Sequence, residues 1–260
     1  MTDVALLEVS GLTIQFGGLR AVDDVTFHVD EGEIFAIIGP NGAGKTTVFN
    51  MLTGIYKPTA GEIKFQGRLI NNMKAYEVTR LGVARTFQNI RLFGEMQVWE
   101  NVVVGAHTRL RSGLFASVFK PPGTRREERA AREKAYEHLA FVGLQGWETP
   151  RARNLPYGAQ RRLELARALA AEPKLILLDE PAAGMNAQET AELLELIRKL
   201  KERGITVILI EHDMKLVMGI SERIVVLDHG RKIAEGTPEE VRRNEAVITA
   251  YLGAGANVAH

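Results

Sequence analysis

Gly39-Pro40-Asn41-Gly42-Ala43-Gly44-Lys45-Thr46 is the stretch from which the rest of this chain is read. It has the pattern G-x-x-x-x-G-K-[ST], in which glycines let successive backbone N–H groups turn inward around an anion. A helix N-terminus behind such a loop adds partial positive charge. Both flanks agree with that reading. Ile34-Phe35-Ala36-Ile37-Ile38 leads in as a continuous apolar run, the mark of a strand buried on both faces of a parallel sheet. Thr47-Val48-Phe49-Asn50-Met51-Leu52 leads out as a helix. Lys45 can neutralise the β- and γ-phosphates of a nucleotide, and the Thr46 hydroxyl can ligate Mg²⁺. Residues 39–47 are therefore assigned to nucleoside triphosphate binding; a plain glycine-rich turn would explain neither flank.

Working outward, Leu175-Ile176-Leu177-Leu178 is a second buried-strand run and ends in Asp179-Glu180. Two adjacent carboxylates there are costly unless they face a cation or do chemistry. With the phosphate loop present, Asp179 is expected to help hold the metal through water and Glu180 to polarise the attacking water as general base. Alone, the pair would read as caps of the next helix. Val207-Ile208-Leu209-Ile210 is a third run, and Leu193, Leu194, Ile197 and Leu200 fall between at helical spacing. Strand, helix, strand is a βαβ unit and implies a parallel sheet.

Nearer the N-terminus, Leu6 to Phe16 alternates apolar and polar residues with a break at Gly11, and Val25, Phe27 and Val29 alternate likewise. Gly61 and Gly67 bracket a short strand around Ile63 and Phe65. Toward the C-terminus, Ile224 to Leu227 and Lys232 to Ala234 flank a hairpin turn at Asp228-His229-Gly230. Thr237-Pro238-Glu239-Glu240 opens a terminal helix, capped by Thr237. Residues 89–153 are helical in composition and read as an inserted subdomain. The run Arg125-Arg126-Glu127-Glu128-Arg129 alternates in sign, as a solvated helix face does, and Pro121-Pro122-Gly123 marks a loop before it.

The 260 residues suit one compact domain with a subdomain. Hydrophobic residues at 45% and charged residues at 25% exclude a mostly disordered chain. Lys plus Arg is 33 and Asp plus Glu is 32, a net charge of +1, which leaves no general excess for a nucleic-acid backbone. Without cysteine, disulfides, thiolate metal sites and cysteine nucleophiles are excluded. No apolar run reaches the roughly 18 residues of a bilayer span. Met1-Thr2-Asp3-Val4 does not open a secretory signal, so the expected location is the cytosol, against a membrane protein.

Five further features stand in order. They are Phe16 upstream of the loop, Gln88 in Thr86-Phe87-Gln88-Asn89, Leu155-Pro156-Tyr157-Gly158-Ala159-Gln160-Arg161-Arg162, Pro181-Ala182-Ala183-Gly184-Met185-Asn186, and Glu211-His212-Asp213. Over nearly its whole length the chain resembles the nucleotide-binding subunit of ABC transporters. The resemblance implies an α/β fold: a RecA-like P-loop NTPase core with a mixed, largely parallel sheet, an N-terminal antiparallel β subdomain and an inserted α-helical subdomain. Residues 1–260 would form one nucleotide-binding domain, with 1–88 and 154–260 as β subdomain plus core and 89–153 as the helical part.

By the same resemblance, Phe16 stacks on adenine with Val22 beside it, and Gln88 reaches the metal and the attacking water. His212 contacts the γ-phosphate. Thr46, Gln88 and Asp179 surround Mg²⁺, and Glu180, His212 and Gln88 carry hydrolysis of ATP. Leu155 and Gly158 of one subunit would complete the site of a second ABC ATPase subunit, identical or sibling. The family's usual Leu-Ser-Gly-Gly-Gln is here Leu155-Pro156-Tyr157-Gly158-Ala159, so Pro156 removes a hydroxyl from the partner's site. Asn186 stands where an aspartate is common.

A finer likeness, to LivG-type subunits of branched-chain amino acid importers, rests on Phe16-Gly17-Gly18-Leu19, on Tyr157-Gly158 with Arg161-Arg162-Leu163-Glu164, on Asp179 to Gly184 and on Glu211 to Val217-Met218. It implies transmembrane permease subunits as partners, indirectly a solute-binding protein, no nucleic acid, and a peripheral position on the cytoplasmic face of the membrane. Urea or amide uptake, lipopolysaccharide export and a soluble non-transport ABC ATPase are the alternatives. A GTPase would need an Asn-Lys-x-Asp motif, which is absent, and a kinase would not explain Gln88, the Leu155 segment and His212 together. The apolar residues between Ile90 and Trp99 suit either a membrane-subunit helix or packing inside the insert.

Overall fold

In the computed structural model, strands β3 (Ile34–Ile38), β7 (Leu175–Asp179) and β8 (Thr206–Ile210) are buried along their whole length. The structure describes residues 5–106 and 124–256, with only the backbone of 124–128 and 252–256. The three strands lie side by side and parallel, between β6 (Val83–Arg85) at one edge and β9 (Arg223–Asp228) at the other. β10 (Arg231–Gly236) folds back antiparallel on β9, giving the order β10-β9-β3-β8-β7-β6.

Strand alternation divides this sheet between two cores. Ala36, Ile38, Ile176, Leu178, Val207 and Leu209 point to one. It is closed by α5 (Tyr157–Leu169), α6 (Ala187–Glu202), α7 (Met214–Ile220) and the helical insert. Phe35, Ile37, Leu175, Leu177, Ile208 and Ile210 point to the other. Against these pack α1 (Lys45–Leu52) and a second, antiparallel sheet. That sheet orders β1 (Leu7–Phe16), β2 (Leu19–Val29), β4 (Ala60–Phe65) and β5 (Arg68–Leu69) as β2-β1-β4-β5. The expected mixed, largely parallel core and N-terminal antiparallel subdomain are both present.

Between β5 and β6 lies α2 (Ala75–Leu81). Among the described residues, the insert includes α3 (Val98–Gly105) and α4 (Thr124–Phe141), and a 3-10 turn at Ala152–Asn154 leads out of it. The alternating charge run falls within α4, while Pro121-Pro122-Gly123 lies outside the described residues. The apolar segment before α3 divides: Val98 is fully buried and Leu92 and Trp99 pack on the core, but Phe93 is 48% and Met96 39% exposed. The helix expected at the C-terminus is two. Thr237 caps α8 (Pro238–Arg243), and after Asn244 the chain turns into α9 (Glu245–Ala256). Among the described residues no helix is long and apolar enough to cross a membrane.

Candidate active site

The loop after β3 is shaped by two close backbone approaches. A Cβ on Gly39 would stand 2.1 Å from the Leu227 carbonyl oxygen, and one on Gly44 2.6 Å from that of Ala21. Gly44 also has φ 99°, in the left-handed region where glycine alone is unstrained. Gly44 is the N-cap of α1, with no side chain capping the helix and no acid in its first turn. The first N–H groups of α1 are therefore left for an anion. Lys45 is buried and curls over the loop, its Nζ donating to the carbonyls of Gly39 at 2.7 Å and Pro40 at 2.9 Å. Burial lowers its pKa, while the charges of Glu180 and Asp179 act the other way.

A cleft of about 460 Å³ opens over this loop, lined by residues 41–47, by Leu19 to Ala21, by His229 and Gly230, and by Glu180 and His212. Glu180 leaves β7 with φ 49°, its N–H donating to the Ile210 carbonyl at 2.9 Å. Its carboxylate is held from two sides. Gln88 Nε2 donates to Oε2 at 2.9 Å, and His212 Nε2 lies 2.5 Å from Oε1. Tertiary folding thus brings together Gln88, Glu180 and His212, which come from the ends of three different strands. Beneath them Asp179 is 2% exposed and ion-paired to Arg85 at 2.7 Å, and its Oδ1 has no hydrogen-bond partner. The Thr46 hydroxyl, Gln88 amide and Asp179 carboxylate are hard oxygen donors of the kind Mg²⁺ takes, and the orphaned Oδ1 suits a cation's water.

Other expected residues fall elsewhere. Phe16 is 46% exposed and meets Tyr56 edge-on at 5.3 Å, outside the walls of the cleft. Val22 is fully buried. The two-residue alternation that buries Val25, Phe27 and Val29 breaks at Asp23-Asp24, where Asp24 has φ 55°, and this shift turns Val22 inward under Gly44, so it supports the loop from below. Gly39 and Pro40 line an adjoining cleft of about 990 Å³ whose far wall is α9, including Tyr251. Leu155 is buried and Gly158 sits against Glu189; neither lines the cleft over Lys45.

Sequence reasoning gave no role to Arg85, Arg161 or Glu211. Arg161 donates to the carbonyls of Phe87, at 2.9 Å, and of Gln88, fastening the glutamine loop to α5. Glu164, one turn on, accepts from the Phe87 and Arg91 N–H groups. Glu211 is buried, which raises its pKa, and it accepts from the Ala182 N–H at 2.9 Å, pinning the segment after Glu180. For Arg161, Glu164 and Glu211 the sequence signal was their place inside quoted motifs; Arg85 lies in none of them.

A family model described as ABC transporter matches residues 22–183, and one described as branched-chain amino acid ATP-binding cassette transporter matches 231–257. The chain is 52% identical to the high-affinity branched-chain amino acid transport ATP-binding protein LivG of Salmonella typhimurium, covering 95% of this chain and 98% of that one. It superposes on the ADP conformation of an ATP-binding cassette of an ABC transporter with a TM-score of 0.84 and 32% identity, covering 96% and 99%. A dimeric cassette in a post-hydrolysis state with ADP and phosphate gives 0.76 and 26%, covering 89% and 98%. A cleft over the glycine-rich loop, an acid held on its wall and likeness along almost the entire length lead to one conclusion: the chain belongs to the ABC transporter family, as an ATP-hydrolysing cassette of the LivG type.

Proposed function

We propose that this ATPase drives uptake of branched-chain amino acids, docked as a peripheral subunit on the cytoplasmic side of a membrane permease that receives its solute from a binding protein. The observation that carries the reading is the Glu180 carboxylate, clasped by Gln88 and His212 across the cleft from Lys45. Lys45 and the backbone of residues 41–47 hold the triphosphate, and Phe16 stacks on the adenine from the rim. Thr46, Gln88 and, through water, Asp179 would hold Mg²⁺, which would supply positive charge against the triphosphate. Release of Glu180 by Gln88 and His212 when nucleotide binds would free its carboxylate to take a proton from the attacking water. Leu155 and Gly158 of a second subunit close the site from above. The helical insert, residues 89–153, moves with the glutamine loop, which Arg161 ties to α5.

The solute follows from the likeness to LivG. Glu180→Gln is expected to keep ATP affinity and lose about 10²- to 10⁴-fold in turnover, the range for a positioned base. Phosphate release at wild-type rate would remove Glu180 from that role. Cells lacking this chain should lose uptake of labelled leucine, isoleucine and valine but not of urea; the reverse pattern would reassign the solute.

A further inference from the structure

Arg85 has no part in the roles assigned above, yet both terminal nitrogens of its buried guanidinium are bonded, while its Nε has no partner. It ends β6, a strand of three residues, three positions before Gln88. Its Nη2 donates to Asp179 Oδ2 at 2.7 Å, and its Nη1 donates to Asn50 Oδ1, on α1, at 2.6 Å. The guanidinium lies 5.5 Å from the Phe49 ring and 5.1 Å from the Phe87 ring. The two ion-pair side chains are 6% and 2% exposed. Asp179 is thus left with one oxygen neutralised and the other, Oδ1, buried without a partner. A buried acceptor in that state is unfavourable unless something arrives to fill it.

The geometry fits a supporting shell. Groups that hydrogen-bond to a metal-side ligand fix its orientation and strongly affect metal binding. An arginine is suited to this because it stays protonated and its planar fork engages two acceptors at once. Here the two acceptors sit on different elements, the helix that starts at the phosphate loop and the strand that carries the acids. The chain then runs directly into the glutamine loop.

We propose that Arg85 is the positioning residue of the metal-side carboxylate. It holds Asp179 by Oδ2 so that Oδ1 stays free for water on a divalent cation, and it ties α1, β7 and the Gln88 loop at a common spacing. This rests on the reading of Asp179 as a metal-side ligand.

The test uses the full chain and Mn²⁺ as probe. Electron paramagnetic resonance of free Mn²⁺ gives its affinity for the protein–ADP complex, and fluorescent ATP binding in EDTA gives the metal-free nucleotide affinity. Circular dichroism melting checks the fold. Arg85→Lys keeps the charge but cannot span both acceptors. It is expected to fold, to bind nucleotide in EDTA like wild type, and to bind Mn²⁺ about 10- to 100-fold more weakly. Asn50→Ala, which cuts the tie to α1 and leaves the ion pair, should weaken Mn²⁺ in the same direction by a smaller factor. Wild-type Mn²⁺ affinity in both variants would overturn the proposal. So would a loss of metal-free nucleotide affinity as large as the loss for Mn²⁺, since Arg85 would then be shaping the whole cleft. Asp179→Asn separates the two readings. If it binds Mn²⁺ normally, Asp179 is not on the metal side and Arg85 falls with it. If it loses Mn²⁺ while the Arg85 and Asn50 variants do not, the assignment to Arg85 alone is overturned.

Discussion

Lys45 is held inside its own loop by two carbonyls, so its charge is desolvated before any phosphate arrives. A triphosphate offers stronger, charged acceptors, and charge-assisted hydrogen bonds contribute about 1.5–3 kcal/mol each. Lys45→Ala should therefore weaken ATP binding by on the order of 10- to 100-fold in calorimetric titration; unchanged affinity would disconnect this loop from the nucleotide. Glu164 gives a pH signature of its own. Burial is the main cause that raises its pKa above 4.5, with Arg167 and Arg161 acting against it. The folded chain then binds that proton more tightly than the unfolded one. The contribution is fully present below pH 4.5 and is lost as pH rises through the raised value. Whatever the offset between Glu164→Gln and wild type, thermal melts should show it moving in the variant's favour as pH climbs above 4.5. Parallel curves would mean the carboxyl is not perturbed.

At the scale of elements, the start of α5 is the departure with consequences. Pro156 is its N-cap and provides no side-chain bond. Pro156→Ser would add a hydroxyl able to cap the helix, stabilising it by about 1 kcal/mol. It would also give the partner's site a donor, so ATPase activity should rise or stay level; a collapse would show that the proline itself is needed. Asn186 caps α6, with Glu189 completing a reciprocal capping box. Asn186→Ala should cost about 0.5–2 kcal/mol, a fall of a few degrees in melting temperature; an unchanged melting temperature would show that the cap adds no stability. The loop after Gln88 is equally well pinned. Buried Asn101 accepts from the Phe93 N–H and donates to the Phe93 and Gln97 carbonyls, leaving Phe93 and Met96 facing outward.

For the whole molecule, this chain's own Leu155 and Gly158 do not line the cleft over Lys45, so a Leu155 segment completing that site would come from a second chain. Glu180→Gln with ATP should therefore run as a dimer on size exclusion and return to monomer when nucleotide is removed. A monomer at every nucleotide concentration would count against shared sites. The architecture was legible because β3, β7 and β8 are buried on both faces, which forces unbroken apolar runs on the sequence. β6 was not legible: three residues carry no period, and with it Arg85 went unseen. The burial of Val22 was not legible because the alternation read from Val25, Phe27 and Val29 breaks at Asp23-Asp24, where Asp24 has φ 55°.

The amino-acid sequence by itself determined the long buried strands, the loop that receives phosphate and the chemical types of the reacting groups, because each depends on neighbours a few residues away. Only the tertiary structure decided that Asp179 shares its charge with Arg85, that Arg161 fastens the glutamine loop, and that Gln88 and His212 meet on one carboxylate. Those are contacts between segments far apart in the chain, and their distances exist only after the two cores have closed on the sheet between them.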